Sequence, residues 1–324
     1  MAKGSPDSYV QGILKGNRRM IAKAITLAES TLKDHKNLAF KVMEKILPHT
    51  GTSIRLGITG VPGVGKSTFI ENLGVALAEN GHKVAVLTVD PTSKRSGGSI
   101  LGDKTRMEKL AAHENAFIRP SPAGETLGGV AAKTREIMLI CEAAGFDVIL
   151  VETVGVGQSE TSVFSMVDFF LVLMLAGAGD ELQGIKKGVL ELADAIAINK
   201  ADGDNLNAVE RAKGDLEIAM HLIQPESPTW STPVLTCSSV IADGTRNVWK
   251  IILEHNKKFK GTGEFEQRRK KQSLEWMWTL VEDGLKLRFK NNETINKKIP
   301  LISNRVENDK ISPTAAAEEL LSCL

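Results

Sequence analysis

The sequence predicts an α/β fold in which a mostly parallel sheet lies between helices, with helical extensions at both ends of the chain. A glycine-rich loop at residues 60–67 has the form G-x-x-x-x-G-K-S and stands between an apolar run at 54–58 and a helical pattern. From residue 53 onward, apolar runs alternate with helical patterns, which is typical of a parallel sheet covered on both faces. Residues 9–47 and the segment beyond residue 257 show helical patterns without strand signals.

Composition argues against several classes of function. The chain has 324 residues and a formal net charge of +2, and no apolar run reaches transmembrane length. A charge so near zero gives no reason to expect nucleic acid or a membrane surface as a partner. The cysteines Cys141, Cys237 and Cys323 lie far apart, so neither a zinc ribbon nor a disulfide framework is indicated. Since the first residues lack a signal-peptide pattern, we expect a cytoplasmic protein.

The glycine-rich loop predicts a phosphate-binding site. Its glycines let the backbone turn tightly and bring N–H groups onto phosphate oxygens. Lys66 supplies a positive charge to the β- and γ-phosphates, and the Ser67 hydroxyl suits Mg²⁺. The helix that follows adds the partial positive charge of its N-terminus. The residues predicted to bind the nucleotide here are Gly60, Val61, Pro62, Gly63, Val64, Gly65, Lys66, Ser67 and Thr68.

Carboxylates near the ends of predicted strands indicate a Mg²⁺ site. Glu152 ends the apolar strand at 147–151, Asp90 ends an earlier strand, and Asp103 lies in the long polar loop at 92–106. Carboxylates in such places suit Mg²⁺ or its water shell, and the length of the loop favours a function. Two alternatives stay open at this point: Asp90 is also a common turn residue before proline, and Asp103 could be a solvated loop charge.

The sequence Asn-Lys-Ala-Asp, which follows another predicted strand, indicates a guanine site. A carboxylate in the plane of guanine accepts from both N1–H and N2–H₂, a donor pair that adenine lacks, and we assign this role to Asp202. Asn199 is expected to reach the base from the other side, and the stem of Lys200 to cover its face. Ser238 and Ser239 are expected to offer a backbone contact to the guanine oxygen. The motifs together predict a P-loop GTPase fold that binds GTP or GDP.

The P-loop GTPase domain is predicted to span residues 51–256. An N-terminal helical extension, residues 1–50, precedes it, and a C-terminal helical arm, residues 257–324, follows it. Within the arm, a long helical pattern at 264–290 is apolar on one face, so we expect it to pack against a second copy of the chain. A shorter helix at 314–321 has Ser-Pro as its start signal.

The position that orients the attacking water in small GTPases is occupied by an apolar residue. The usual glutamine would directly follow Gly155. Val156 stands there instead and cannot orient water, and the nearest glutamine is Gln158. We therefore expect slow intrinsic hydrolysis and a need for help from a partner.

A basic run at residues 268–271, Arg-Arg-Lys-Lys, permits two interpretations. It could be a nucleic-acid contact or the solvated face of a helix. Because the net charge is near zero, the solvated face is favoured, and we expect no nucleic-acid partner.

Four long sequence strings, together with a C-terminal pattern, carry a resemblance to a known family. The strings are residues 57–68, 97–107, 151–160 and 177–188, and the C-terminal pattern consists of Arg268, Arg269, Gln272 and Trp276. On these residues the chain resembles the methylmalonyl-CoA mutase-associated GTPase family (the MeaB/ArgK type), within the metal-chaperone-like branch of P-loop GTPases. The resemblance covers nearly the whole chain.

The resemblance implies a homodimeric GTPase that binds an adenosylcobalamin-dependent acyl-CoA mutase, gates the loading of its cofactor and protects or reactivates it. The family pattern would place Ser67, Asp90, Asp103 and Glu152 around Mg²⁺. An extra loop at 177–188 carries Lys186, and we expect mutase binding to order this loop. The predicted catalytic residues are Lys66, Asp103, Glu152 and Lys186.

Two alternative functions remain. An older family label concerns basic amino-acid transport and a kinase-like activity, so one alternative is an ATP-dependent kinase or a transport-linked ATPase. The Asn-Lys-Ala-Asp motif counts against it, because that motif favours guanine. The other alternative is a nickel-insertion GTPase of the same branch, but such proteins tend to carry Cys/His clusters, which are not evident in this sequence.

Overall fold

The chain is divided into two compact units. The computed structural model describes residues 4–89, 107–120, 127–153, 159–177, 187–223, 227–241 and 243–324. The first unit is Met1–Arg269 and the second is Lys270–Leu324. The domain limits predicted after residues 50 and 256 remain predictions.

In the described part of the first unit, seven strands form one sheet. They are β1 (Ile54–Gly60), β2 (Val84–Val89), β3 (Ala116–Arg119), β4 (Val148–Thr153), β5 (Phe169–Leu175), β6 (Ala195–Asn199) and β7 (Val234–Thr236). Their order across the sheet is β3-β2-β4-β1-β5-β6-β7, and each neighbouring pair is parallel. All carboxyl ends therefore meet at one edge, and the predicted α/β fold with a parallel sheet is confirmed.

Helices cover both faces of this sheet and make up the second unit. Those that begin in the first unit are α1 (Pro6–Leu14), α2 (Arg18–Glu29), α3 (Lys33–Ile46), α4 (Lys66–Glu79), α5 (Glu108–Ala112), α6 (Leu127–Ala143), α7 (Ser159–Phe164), α8 (Lys187–Glu191), α9 (Leu206–His221), α10 (Arg246–Thr262) and α11 (Glu264–Asn291). The second unit continues with α12 (Glu293–Glu307) and α13 (Pro313–Leu321).

Strand β5 shows how the core is divided between the two faces of the sheet. Phe169 and Leu171 belong to one apolar cluster, which includes residues of α4, α5 and α10. Phe170 and Val172 belong to the other, which includes residues of α1, α2, α3 and α6. Successive side chains of a strand point to opposite faces, so a strand covered on both sides is apolar along most of its length.

The N-terminal helices form as their sequence predicts. Ser5 accepts a hydrogen bond from the Ser8 backbone N–H at the start of α1, and Asn17 does the same for Met20 at the start of α2. Apolar side chains recur at helical spacing in this segment and are buried, apart from the partly buried Met20: Ile13, Ile21, Ala24 and Ile25.

Two helices predicted beyond residue 257 are confirmed, and one helix was missed. The helical pattern predicted at 264–290 forms α11. The predicted start at Ser312 is correct, since its side chain accepts from the Ala315 backbone N–H at 3.2 Å. Helix α12 was not predicted because it contains Pro300, and an internal proline normally ends or kinks a helix. Its start is capped by Asn292, whose side chain accepts from the backbone N–H groups of Thr294 and Ile295.

The first two residues of the basic run do not lie on a solvated helix face, so that expectation was wrong for them. Arg269 donates through Nε to Asp168 Oδ1 at 2.7 Å and through Nη2 to Asp168 Oδ2 at 2.6 Å. Arg268 donates to both carboxylate oxygens of Asp194 at 3.1 Å. A guanidinium can bind a carboxylate with two parallel bonds, which explains why both arginines turn inward.

A third buried carboxylate, Glu142 at the end of α6, lies at the same amino edge of the sheet. It accepts from Arg55 at 2.9 and 2.8 Å, from the Gly51 backbone N–H at 3.0 Å and from the Ser53 hydroxyl. Burial by itself would raise the pKa of Glu142, but the hydrogen bonds and the charges of Arg55 and Arg269 outweigh it and hold the pKa below its usual value.

Among the described residues, no helix is both long enough and apolar enough to cross a membrane.

We predict that Glu142→Gln destabilises the first unit, because Arg55 would keep a buried charge without its carboxylate partner. The expected loss is about 3–5 kcal/mol at pH 7, measured by urea unfolding. Since the folded pKa of Glu142 is depressed, its contribution is present above the ordinary carboxyl value of 4.5 and is lost as the pH falls through the folded pKa. The difference in free energy of unfolding between the wild type and Glu142→Gln should therefore narrow below pH 4.5.

The matched control is Glu136→Gln on the same helix. Burial raises the pKa of Glu136, and its partner Lys133 lies 3.2 Å away on the same helix, with both side chains 27% exposed. The free energy of unfolding of this variant should fall by less than about 1 kcal/mol. Equal losses in the two variants would contradict a special role for Glu142.

Candidate nucleotide-binding site

The predicted phosphate loop joins β1 to α4 at the carboxyl edge of the sheet, and two of its glycines leave no room for a side chain. A Cβ on Gly60 would lie 2.4 Å from the Leu173 carbonyl oxygen, and one on Gly65 would lie 2.7 Å from Asn199 Nδ2. Both have positive φ, as does Gly63, which has open space around it. The loop therefore packs against β5 and β6 and presents its backbone beside the start of α4.

Lys66, the first residue of α4, folds back over the loop. Its Nζ donates to the carbonyl oxygens of Gly60 at 2.7 Å and Val61 at 3.2 Å. Burial lowers the pKa of Lys66, while the negative charges of Glu152 and Glu160 oppose that shift. The arrangement places an ammonium group among loop carbonyls, within reach of an anion held by the loop.

Ser67 and Glu152 meet beside this ammonium group. The Ser67 hydroxyl donates to Glu152 Oε1 at 3.0 Å, and Glu152 is buried near the end of β4, where it pairs in register with Ile58 of β1. A hydroxyl and a carboxylate are oxygen ligands of the kind that Mg²⁺ prefers, so this pair fits the predicted metal. Within the described ranges, no three His, Cys, Asp or Glu side chains cluster as a metal site.

Asn199, the last residue of β6, joins the two halves of the predicted site. Its Nδ2 donates to the Val64 carbonyl in the phosphate loop at 2.7 Å. Its Oδ1 accepts from the Ser239 backbone N–H at 3.0 Å and from the Ser239 hydroxyl at 2.8 Å. Ser239 belongs to residues 237–241, which follow β7 and are here named the base loop. The amide therefore fixes the base loop to the phosphate loop.

The rest of the Asn-Lys-Ala-Asp motif turns toward the same loop. Lys200 adopts φ +61°, which is uncommon for a residue with a side chain, and its carbonyl accepts from Asn205 Nδ2 at 2.9 Å. The Ala201 N–H donates to the Cys237 carbonyl at 3.0 Å. The Ser238 hydroxyl donates to Asp202 Oδ2, which ties that carboxylate to the base loop. The structure thus brings Asn199, Asp202, Ser238 and Ser239 together, as the sequence predicts.

Several predicted site residues lie outside the described residues. They are Asp90 and Asp103, the loop at 92–106, Val156, Gln158, Lys186 and all but the ends of the loop at 177–188. Their roles remain predictions.

Two residues near the site were missed by sequence reasoning. Glu160 is a buried carboxylate whose charge acts on Lys66. Asn72, on α4, donates to the carbonyl of Ser239. Glu160 ends the string at 151–160 that carries the resemblance, but its residue type gave no reason to assign it a role, and Asn72 belongs to no recognised motif, because a carboxylate in the first turn of a helix and an amide in its middle are common in helices of every kind. Only the helix positions in the folded chain reveal them.

A family model matches most of the chain. It is described as methylmalonyl-CoA mutase-associated GTPase MeaB, and it covers residues 21–294.

Individual relatives extend this match to nearly the full length. The GTPase ArgK of Escherichia coli is 45% identical over 311 residues, which cover 96% of this chain and 94% of that protein. A mouse protein named methylmalonic aciduria type A homolog, mitochondrial, is 42% identical over 325 residues, covering 97% of this chain and 78% of that protein. The crystal structure of a protein named LAO/AO transport system kinase is 38% identical, has a TM-score of 0.78 and covers 99% of this chain and 98% of that one.

The family match and the geometry of the carboxyl edge agree. A phosphate loop between β1 and α4 and an Asn-Lys-Ala-Asp turn after β6 are features of a guanine-nucleotide site. The chain belongs to the methylmalonyl-CoA mutase-associated GTPase family, and it is a GTPase.

Proposed function

We propose that this GTPase uses GTP, GDP and Mg²⁺ to regulate an adenosylcobalamin-dependent acyl-CoA mutase. In this role it gates the loading of the mutase's cofactor and protects or reactivates the mutase. The observation that carries the nucleotide part of the proposal is the double contact of Asn199, at 2.7 Å to the phosphate loop and 2.8 Å to the base loop. One amide thereby sets the distance between groups that bind the two ends of one nucleotide.

Guanine recognition is assigned to Asp202. The bond from the Ser238 hydroxyl holds one carboxylate oxygen beside the base loop before a base arrives. A carboxylate held there can make two parallel bonds to N1–H and N2–H₂ of guanine, whereas adenine offers neither donor. The residues proposed to bind the nucleotide are Gly60, Val61, Pro62, Gly63, Val64, Gly65, Lys66, Ser67, Thr68, Asn199, Lys200, Asp202, Ser238 and Ser239.

The metal is assigned to Ser67 and Glu152, together with Asp90 and Asp103 as predicted from the sequence. Bound Mg²⁺ neutralises charge that develops on the γ-phosphate during hydrolysis. In the same step Lys66 can exchange its bonds to loop carbonyls for bonds to phosphate oxygens, because both kinds of oxygen accept from an ammonium group.

Hydrolysis by this chain alone is proposed to be slow. Val156 stands where a water-orienting glutamine would be expected, and an apolar side chain cannot hold a water molecule. We assign the stimulated rate to Lys186, which is proposed to act in hydrolysis when the mutase binds. A lysine lacks the two-pronged fork of arginine, so its contribution should be smaller than that of an arginine finger.

The proposed partner is supported by the family description, which names methylmalonyl-CoA mutase. The mouse relative is named for methylmalonic aciduria type A. Both names refer to methylmalonyl chemistry.

A homodimer is proposed from the exposed face of α11. Apolar side chains recur there at spacings of four and three residues, as in helices that pair with another helix: Leu274, Trp278, Val281 and Leu285. Their exposed fractions lie between 43% and 60%, which is a large apolar area to leave in water. A second copy of the same helix would cover this stripe.

An ATP-dependent kinase linked to basic amino-acid transport is the second candidate. The name of the related protein of known structure, LAO/AO transport system kinase, favours it. The Asp202 geometry opposes it, since a fixed carboxylate beside the base disfavours adenine. Tighter binding of ATP than of GTP would support the kinase and contradict the GTP-based proposal.

We predict that Asp202→Asn weakens GDP binding by about 2–3 kcal/mol, or about 30- to 150-fold, because guanine donors would then face an amide N–H. Xanthine nucleotides should become favoured. Titration calorimetry with GDP and XDP measures both effects. The control is Asp204→Asn, which removes an exposed carboxylate two residues away and should leave the affinity unchanged. Wild-type affinity for GDP in Asp202→Asn would contradict the base assignment.

We predict that an adenosylcobalamin-dependent acyl-CoA mutase accelerates single-turnover GTP hydrolysis by this chain. A catalytic group delivered by a partner raises the hydrolysis rate roughly 10³- to 10⁵-fold in other GTPases, and we expect a smaller acceleration here. Lys186→Ala should lose most of the stimulation, measured as the ratio of the rates with and without the mutase, whereas the neighbouring Lys187→Ala should keep that ratio. No stimulation of the wild type would contradict the mutase role, and full stimulation of Lys186→Ala would contradict the assignment of Lys186.

We predict that the double variant Leu274→Glu/Val281→Glu is a monomer, because two charges would interrupt the apolar stripe of α11. Sedimentation velocity distinguishes a monomer from the dimer expected for the wild type. Leu301→Glu is the control, since Leu301 is 68% exposed but lies on α12 outside the stripe. A double variant that stayed dimeric would show that the stripe is not the dimer contact.

A further inference from the structure

We infer that Asn72 is a positioning residue that holds the base loop against α4 and thereby slows nucleotide release. The inference rests on the proposed nucleotide site, since it assigns a function to a residue that supports that site. Asn72 lies on α4, and its side-chain Nδ2 donates to the backbone carbonyl of Ser239. It is not among the residues proposed to bind the nucleotide.

The position of Asn72 on α4 links it to the phosphate end of the site. Helix α4 begins at Lys66, directly after the phosphate loop. Thr68, a predicted nucleotide contact, lies four residues before Asn72, so the two side chains lie on the same helical face. One face of one helix therefore bears a phosphate-site residue and the anchor of the base loop.

Backbone bonds to Ile198 and Ala201 hold Cys237 at the start of the base loop. The other side-chain bonds to the serines of this loop come from groups with a second function. Asn199 binds Ser239, and Asp202 accepts from Ser238, but both are themselves proposed to bind the base. Gly244 fits against the loop so closely that a Cβ on it would lie 1.9 Å from the Ser238 carbonyl oxygen. That fit limits movement on one side of the loop, and Asn72 provides a directional bond to α4.

In the proposed site the base lies between the Asn-Lys-Ala-Asp turn and the base loop, so we expect the bond of Asn72 to act on its release. A loop that can move away from α4 lets the base escape sooner. Ser239 is buried and Asn72 is half-buried, so the bond is partly protected from competition by water. Loss of the bond should therefore speed release without abolishing binding.

The direction of the bond provides a graded test. The Ser239 carbonyl can only accept, so its partner must donate. Asn72→Ala removes the donor, whereas Asn72→Asp keeps the shape and places a carboxylate oxygen against the carbonyl oxygen. Asn72→Asp should thus speed nucleotide release more than Asn72→Ala does, although aspartate conserves the side-chain volume better than alanine. A residue that acted by packing alone would give the opposite order.

The experiment measures release of fluorescent N-methylanthraniloyl-GDP from the full chain, chased with excess GDP. Asn72→Ala should release it about three- to tenfold faster, which is the effect expected of one partly buried neutral hydrogen bond. Asn72→Asp should release it faster still. The single-turnover rate of GTP hydrolysis at saturation should fall by a smaller factor than the release rate rises, because the bond of Asn72 is to the base loop.

The matched control is Asn80→Ala. Asn80 is the same residue type at the end of the same helix, and its Nδ2 donates to the Ala76 carbonyl at 2.7 Å within α4. Release from this variant should equal that of the wild type. An equal acceleration in Asn80→Ala would mean that both changes act through the stability of α4, and it would overturn the inference.

Affinities for GDP and ADP separate this inference from the proposed function. Wild-type protein that bound ADP as tightly as GDP would contradict the proposed guanine site. With a guanine preference established for the wild type, unchanged release in both Asn72 variants would overturn only the role of Asn72. In the expected case, Asn72→Asp also lowers the ratio of GDP to ADP affinity, because the base loop is displaced and the phosphate loop is not.

Discussion

Paired charges hold the amino ends of the central strands, and the arrangement of the opposite edge depends on them. Asp168 and Asp194 each accept a backbone N–H, from β1 and β5 respectively, while Arg269 and Arg268 bind their carboxylates and nearby backbone carbonyls. Buried backbone groups need such partners. A buried charge of these pairs left without its partner would cost about 3–5 kcal/mol of stability, which opposes any sliding of the strands past each other. Strands β1 and β6, which start here, end at the phosphate loop and at Asn199.

The carboxyl edge is organised by a neutral group instead. The Asn199 amide both donates and accepts, so it can join the Val64 carbonyl to the Ser239 N–H and hydroxyl without adding charge. This leaves the charges of Lys66 and Asp202 available for a charged ligand and its base. A salt bridge in the place of Asn199 would compete with the ligand for those charges, which explains why the two edges of one sheet are held by different chemistry.

Helix α11 changes its surroundings along its length. Its first residues belong to the first unit, where Arg268 and Arg269 are paired with carboxylates. Further along, Leu274 and Trp278 have exposed fractions of 59% and 60%. A basic pair is therefore turned inward while apolar residues face water, the reverse of what residue type alone suggests. The inward arginines are explained by their buried partners, and the exposed apolar residues motivate the proposed contact with a second copy.

The sequence by itself determined the features that depend on neighbouring residues: the glycines of the phosphate loop, the alternation of strands and helices, the Asn-Lys-Ala-Asp turn and the cap at Ser312. It could not show the strand order, the pairing of Arg268 and Arg269, the charge of Glu160 beside Lys66 or the bond from Asn72 to Ser239, because each joins residues far apart in the chain. Helix α12 was missed for a related reason, since the local signal of Pro300 opposes a helix that the fold nevertheless forms. Interactions between residues close in the chain can be predicted from sequence. Contacts between residues that only the folded sheet brings together are decided by tertiary structure.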